Sequence, residues 1–215
     1  LLTRKQKKAI AVANEHNELK TRFIQNISSQ MEPTLDTLPS SHPGVQALHT
    51  FAGHIQELSE LEQSLTQPYE MEEKNVNTFC EALAEKVRAL VKPEVTVTVN
   101  APKLSVKIAP EALEHVLLHL LDNAARYTPE GGKIWVDFKK RGAHTHQFVV
   151  SDTGCGISEE KRDNLFKPFS EVKDLTEGDG LGLPICSLMV TKMNGTLSID
   201  PAYTKGTRFV LELHV

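Results

Sequence analysis

The sequence predicts an α+β chain, with an N-terminal helical hairpin followed by a two-layer α/β sandwich. Three observations lead there. Through residues 1–67 the apolar positions recur every three or four residues, the spacing of amphipathic helices. Pro68 ends that pattern. From residue 69 onward, short alternating strands are interleaved with helices and hairpin strands come late, which suits a sheet with helices on one face. The expected domains are therefore 1–68 and 69–215.

The first helix is expected over residues 1–38. Leu19, Phe23, Ile27, Met31 and Leu35 step by four and form a seam that needs a partner helix, with Pro33 expected to kink or loosen it. A turn of Pro39-Ser-Ser-His-Pro-Gly44 leads to a second helix over 45–67, carrying Val45, Leu48, Ala52, Ile55, Leu58 and Leu65. Such a hairpin leaves an apolar face open, and self-association into a dimeric four-helix bundle would cover it.

Beyond Pro68, a strand is expected over 69–76. A helix follows over 77–91, capped by Asn77 or Thr78, with Glu81 completing a capping box. Strands are expected over 95–99 and 104–108. The helix over 110–128 opens with Pro110 and presents Leu113, Val116, Leu117, Leu120, Leu121 and Ala124 on one wide face. Strands over 134–140 and 146–151, a helix over 181–193 stopped by Asn194-Gly195, and strands over 197–200 and 208–215 complete the order.

Composition sets bounds on function. The chain has 215 residues, of which 40% are hydrophobic and 24% charged, as in an ordinary globular protein. A net charge of -4 argues against a nucleic-acid footprint, which needs a basic face. Cys80, Cys155 and Cys186 lie far apart, giving neither a disulfide framework nor a zinc spacing, and fit a reducing compartment. The nine histidines form no metal-ligand spacing, and His42, His49 and His54 read as surface residues. No apolar run is long enough to span a bilayer. A cytoplasmic location is expected, with any membrane attachment made by segments outside this chain.

Three stretches carry chemistry. On the helix over 110–128, His119, Asn123 and Arg126 share one side, and an amide, an imidazole and a guanidinium together suit a hydrated magnesium with phosphates. An ordinary polar helix edge is the other reading. Asp152-Thr-Gly-Cys-Gly156 follows a strand, so a carboxylate there can accept from an exocyclic amine while the glycines admit a flat ring. A plain strand-to-helix loop is the alternative. Gly178, Gly180 and Gly182, with Leu181 between the last two, precede a helix with Pro184 in its first turn, an arrangement whose backbone amides can wrap phosphate oxygens. That run fits neither the dinucleotide fingerprint nor a P-loop.

Taken together, HLLDNAARYT, DTGCGI, LFKPF, GDGLGLPI and KGTRF resemble, in order and separation, the N, G1, F, G2 and final Gly-Thr boxes of sensor histidine kinases. Their ATP-binding domain shares a superfamily with DNA gyrase B, Hsp90 and MutL. The resemblance covers about 69–215 and implies an α/β sandwich of the histidine kinase ATPase type, binding ATP and Mg2+ between the N-box helix and a lid. It implies Asn123 as magnesium ligand and His119 as a candidate catalytic residue. Arg126 would contact phosphate, with Tyr127 beside the nucleotide. Asp152 would bind the adenine amine in a pocket shaped by Gly154, Gly156 and Thr207. Phe166 and Phe169 would anchor a lid over 170–177, expected to move without nucleotide; two core aromatics are the plainer reading. The hairpin resembles the dimerisation and phosphoacceptor domain, which implies a homodimer and a response regulator or receiver domain as partner. In RFIQNISSQMEPTL, however, Ser29 stands where that family carries the phosphorylated histidine, Gln30 replaces the adjacent acid and Glu32 the basic residue. Transfer at the usual position is thereby put in doubt, and a catalytically degenerate, nucleotide-dependent signalling module is the alternative.

Overall fold

The computed structural model describes residues 3–170 and 174–215, apart from the side chain of His16. The first two residues of the expected first helix, and residues 171–173 of the expected lid, lie outside the described residues. The described chain groups into two compact units, one from within 1–63 and 171–181, the other of 64–170 and 182–215.

In the first unit, α1 (Arg4–Leu35) starts at a capping box in which Thr3 and Gln6 each accept from the other's backbone amide. It carries Pro33 and stops two residues later, short of the expected end. A turn leads into α2 (Pro43–Ser64), which starts on a proline whose missing amide costs nothing at a helix start. Ser28, buried on α1, donates to the Ala52 carbonyl of α2 at 2.8 Å and ties the hairpin. Ala52, Ile55, Leu58 and Leu61 are buried on α2, whereas Leu19 and Phe23 on α1 stay 59% and 66% exposed.

The second unit is the sandwich. Its elements are β1 (Glu72–Asn75), α3 (Val76–Arg88), β2 (Thr96–Asn100), β3 (Ser105–Ile108), α4 (Pro110–Tyr127), β4 (Lys133–Lys140), β5 (Thr145–Asp152), α5 (Glu159–Arg162), α6 (Gly182–Lys192), β6 (Gly195–Ile199) and β7 (Arg208–His214). β1 and β3 pair antiparallel as a small ribbon. The five-stranded sheet has the order β2-β4-β5-β7-β6, with β2 parallel to β4 and the other neighbours antiparallel. α4 packs on β4 and β5 with α3 on one side and α6 on the other.

Strand alternation decides what faces α4. Ile134, Val136 and Phe138 of β4 lie opposite Asp152, Val150 and Phe148 of β5, and Phe209 and Leu211 of β7 continue the row. All of these are buried. Asp152 is therefore the last side chain on the apolar, helix-covered face of the central strand. α4 meets that face with Leu113, Val116, Leu117, Leu120, Leu121 and Ala124, all at most 2% exposed. Truncating any one of these leucines to alanine costs about 2–5 kcal/mol.

Several local expectations shift. The cap of α3 is Asn75, not Asn77 or Thr78: β1 runs directly into the helix, and the Asn75 side chain accepts from the Thr78 amide at 3.1 Å. After α6, Asn194 takes the left-handed conformation at φ 61°, so the helix stop is the asparagine. Gly195 already belongs to β6, where a β-carbon would collide with the Glu212 carbonyl. The four-residue α5 was not foreseen, being too short to show a period.

Candidate functional site

α4 is the spine of the site. Its 3.6-residue period turns the leucines to the sheet and leaves His119 and Asn123 half-buried at the helix edge. The Asn123 side chain makes no hydrogen bond among the described residues, so both its oxygen and its nitrogen remain available. Arg126, one turn on, is exposed; its charge opposes burial, which pushes the Asp122 carboxyl above its ordinary range. Tyr127, at the helix end, is 54% exposed. Thr128 is fully buried, and its hydroxyl has no partner among the described residues.

Two elements converge on this helix from the same unit. At its C-terminal end, the loop after β5 approaches so closely that a β-carbon on Gly154 would lie 2.6 Å from the Tyr127 carbonyl oxygen. Eight residues earlier, the start of α6 packs on His119: a β-carbon at Gly182 would overlap the imidazole, 2.6 Å from Nε2. Eight residues of helix span roughly 12 Å, and Asn123 stands midway.

Asp152 is 6% exposed and held from several sides. Its Oδ1 accepts from the backbone amides of Gly154 at 2.8 Å and Thr207 at 3.1 Å. Its own amide donates to the Thr207 carbonyl at 2.9 Å. Oδ2 accepts no hydrogen bond among the described residues and remains open to a donor. Burial pushes the carboxyl above its usual range, against the pull of the two amides. Gly156 lies further along the same loop, beside the Gly206 backbone, and Thr207 is buried.

Other expected site residues lie elsewhere. Phe166 packs edge-on against Phe209, with ring centroids 6.4 Å apart. Phe169 is 52% exposed and takes φ 59°, a strained conformation for an aromatic residue. Gly178, Gly180 and Leu181 belong to the first unit, where Leu181 is fully buried. Between them Asp179 accepts from the Leu181 amide at 2.9 Å and pairs with His54 Nδ1 of α2 at 2.6 Å. The reading of His54 as a plain surface histidine is thereby corrected. Asp179's hydrogen bond raises the His54 imidazole above its ordinary value, against burial, with Glu57 adding to the rise. Burial works against the Asp179 charge, yet His54 and the Leu181 amide together hold its carboxyl below the usual range.

A family model described as the histidine kinase-, DNA gyrase B-, and HSP90-like ATPase matches residues 108–215, which include α4, the Asp152 loop and the final Gly-Thr turn. The chain belongs to this family. The relatives it matches are sensor kinases, and its ATPase domain is of the type shared with gyrase and Hsp90. It is 34% identical over 144 residues to the adaptive-response sensory kinase SasA of Rippkaea orientalis, covering 65% of this chain and 35% of that protein. It is 42% identical over 117 residues to the virulence sensor protein BvgS of Bordetella bronchiseptica, covering 51% of this chain and 10% of that one. The chain thus spans well under half of these relatives' length. Among solved structures, the mycobacterial sensor histidine kinase MprB superposes with a TM-score of 0.58 at 28% identity, over 67% of this chain and 97% of that one. The Acinetobacter baumannii histidine kinase AdeS shares the fold over 93% of this chain and 97% of that one, with a TM-score of 0.63 at 18% identity.

Proposed function

We propose that this chain is the transmitter region of a two-component sensor histidine kinase, which binds Mg-ATP along α4 of the sandwich for phosphoryl transfer. The observation that carries the reading is Asp152: a buried carboxylate with one oxygen fixed by two amides and the other open, at the end of the central strand. Such a group suits the exocyclic amine of adenine, a donor that repays the cost of burying the charge. The base would lie at the Tyr127 end of α4, with Gly154, Gly156 and Thr207 shaping its pocket. The phosphates would lie toward His119, where the N-terminus of α6 at Gly182 offers backbone amides. Gly178 and Gly180 are proposed, on their sequence spacing alone, to add further amides, whereas the Leu181 amide is already engaged by Asp179.

Asn123 fits a magnesium ion bound with the nucleotide: a half-buried amide oxygen with no partner among the described residues is one suitable ligand, and phosphate oxygens and water would complete the shell. Bound there, the ion would neutralise charge on the phosphates. His119 would orient or polarise a γ-phosphate oxygen or a water, and Arg126 would meet phosphate charge from the exposed side. Phe166 and Phe169 would anchor the lid. The functional division is proposed as 1–68 for dimerisation and 69–215 for catalysis, the hairpin forming a homodimer and a response regulator or receiver domain acting as partner in the cytosol. Nucleotide titrations with and without magnesium test the site. Asn123→Ala should lose the magnesium-dependent part of the affinity and keep the fold; an unaltered magnesium dependence rules out the metal assignment.

A second reading, a catalytically degenerate nucleotide-dependent signalling module, is favoured by Ser29. Its hydroxyl is exposed and donates to the Gln25 carbonyl of its own helix at 2.8 Å, and its neighbour Gln30 cannot act as a base. A serine ester also lacks the reactivity of a phosphohistidine. Incubation with γ-labelled ATP separates the readings: acid-labile label on the unmodified chain supports a working kinase. Label that appears only in the Ser29→His, Gln30→Glu double variant supports the degenerate module.

A further inference from the structure

Behind Asp152, on the loop joining β6 to β7, lies a second set of contacts. The Tyr203 hydroxyl donates to the backbone carbonyl of Asp152 at 2.8 Å. The Arg208 guanidinium stacks over the Tyr203 ring at 4.1 Å from its centroid. Arg208 Nε also donates to Ser151 Oγ at 2.8 Å, and its Nη1 lies 3.7 Å from Asp200 Oδ2. The turn is closed by Asp200 Oδ1, which accepts from the Ala202 amide at 2.9 Å. Gly206 completes the arrangement, because a β-carbon there would collide with the same Asp152 carbonyl.

The peptide plane after Asp152 carries the Thr153 amide, which donates to the Lys133 carbonyl at 3.1 Å, and so fixes the start of the turn that brings the next amide back to the carboxylate. The Gly154 amide, two residues on, is one of the two donors that fix Oδ1. Holding Oδ1 in turn sets the direction of Oδ2, the oxygen open to a ligand. A phenol bonded to the Asp152 carbonyl therefore acts on the free carboxylate oxygen through the backbone, without touching the ligand. Burial raises the phenol above its ordinary value, so the hydroxyl remains a donor throughout the neutral range.

We infer that Tyr203, braced by Arg208, is a positioning residue for base selection: it locks the Asp152 peptide so that Oδ2 faces an amino-bearing purine. The inference rests on the reading of Asp152 as the acceptor for the base. A loss of rigidity here has a particular signature. It weakens a ligand that uses Oδ2 and spares one that does not, whereas a general structural defect weakens both.

The test is titration of the full chain with ADP and with IDP, whose base carries a carbonyl in place of the amine. The unmodified chain is expected to favour ADP. In Tyr203→Phe, which keeps the ring under Arg208, ADP binding should weaken about three- to tenfold, the loss of one hydrogen bond, with IDP little changed. The ratio of the two affinities is internal to one preparation, so a reduced folded fraction does not alter it. Arg208→Lys, which keeps the phenol but removes the planar stack, is the second variant and should narrow the ratio in the same direction. An unaltered ratio in both variants, or an equal loss of ADP and IDP, overturns the role of Tyr203. Asp152→Ala separates the two levels: if that variant keeps the unmodified chain's ADP to IDP ratio, the base site itself is misassigned.

Discussion

Asp152 works against the stability of its own fold. Its carboxyl is raised by burial, so the ionised form costs folding free energy at neutral pH, and that cost is relieved as pH falls through the raised value toward the unfolded 3.8. Asparagine at this position would still accept from the Gly154 and Thr207 amides with its carbonyl oxygen. Asp152→Asn should therefore be at least as stable as the unmodified chain in thermal unfolding at pH 7. It should bind ADP about ten- to a hundredfold more weakly, because a charge-assisted acceptor becomes a donor facing a donor. A variant that unfolds earlier and binds normally would reverse the assignment. The candidate role of Asp152 was legible because a carboxylate after an apolar strand and before glycines is a local pattern. Tyr203 was not legible: its partner lies 51 residues away, and nothing near Tyr203 in the sequence marks it.

At the scale of elements, the pair between His54 on α2 and Asp179 ties residues 174–181 to the hairpin within one unit. The raised His54 value means that its contribution is fully present below pH 6.5 and is lost as pH rises through the raised value. The lowered Asp179 value means that its contribution is present above pH 3.8 and is lost as pH falls through the lowered value. The pair is thus strongest between roughly pH 4 and 6.5. One third of the His54 side chain is exposed, so solvent screens the pair and its effect is modest. Amide exchange at Leu181, whose N–H donates to Asp179, should be slowest in that window once corrected for intrinsic rates. In His54→Ala that minimum should vanish; identical profiles in the two proteins would show the pair to be inert. The helices themselves were readable from their apolar period, and α4 kept both its proline start and its leucine face. The pairing across 125 residues was beyond periodicity, which ranks His54 only by its local neighbours.

For the whole molecule, the exposed seam of α1 has the larger consequence. Leu19 and Phe23 are 59% and 66% exposed on a helix whose next turns, at Ser28 and Leu35, are buried. An apolar stripe left open beside a packed one suits a second copy of the hairpin. Phe23→Glu should shift sedimentation toward the monomer and leave nucleotide affinity in the sandwich intact. A sedimentation profile that does not change would remove Phe23 from the interface. The sequence order conveyed the two-layer plan, because alternating strands and amphipathic helices allow few arrangements. It did not convey that β5 sits at the centre or that β2 joins parallel to β4, since pairing choices between distant strands leave no local trace.

The close approach of Gly182 to His119 makes the rotamer of the imidazole depend on the absence of a side chain at 182. Alanine at 182 brings a methyl group into the imidazole, and the smallest repair is a turn of the His119 ring away from the start of α6. Gly182→Ala should therefore displace the His119 imidazole resonances in the nucleotide-free protein, and resonances that stay in place would show that the two positions do not touch.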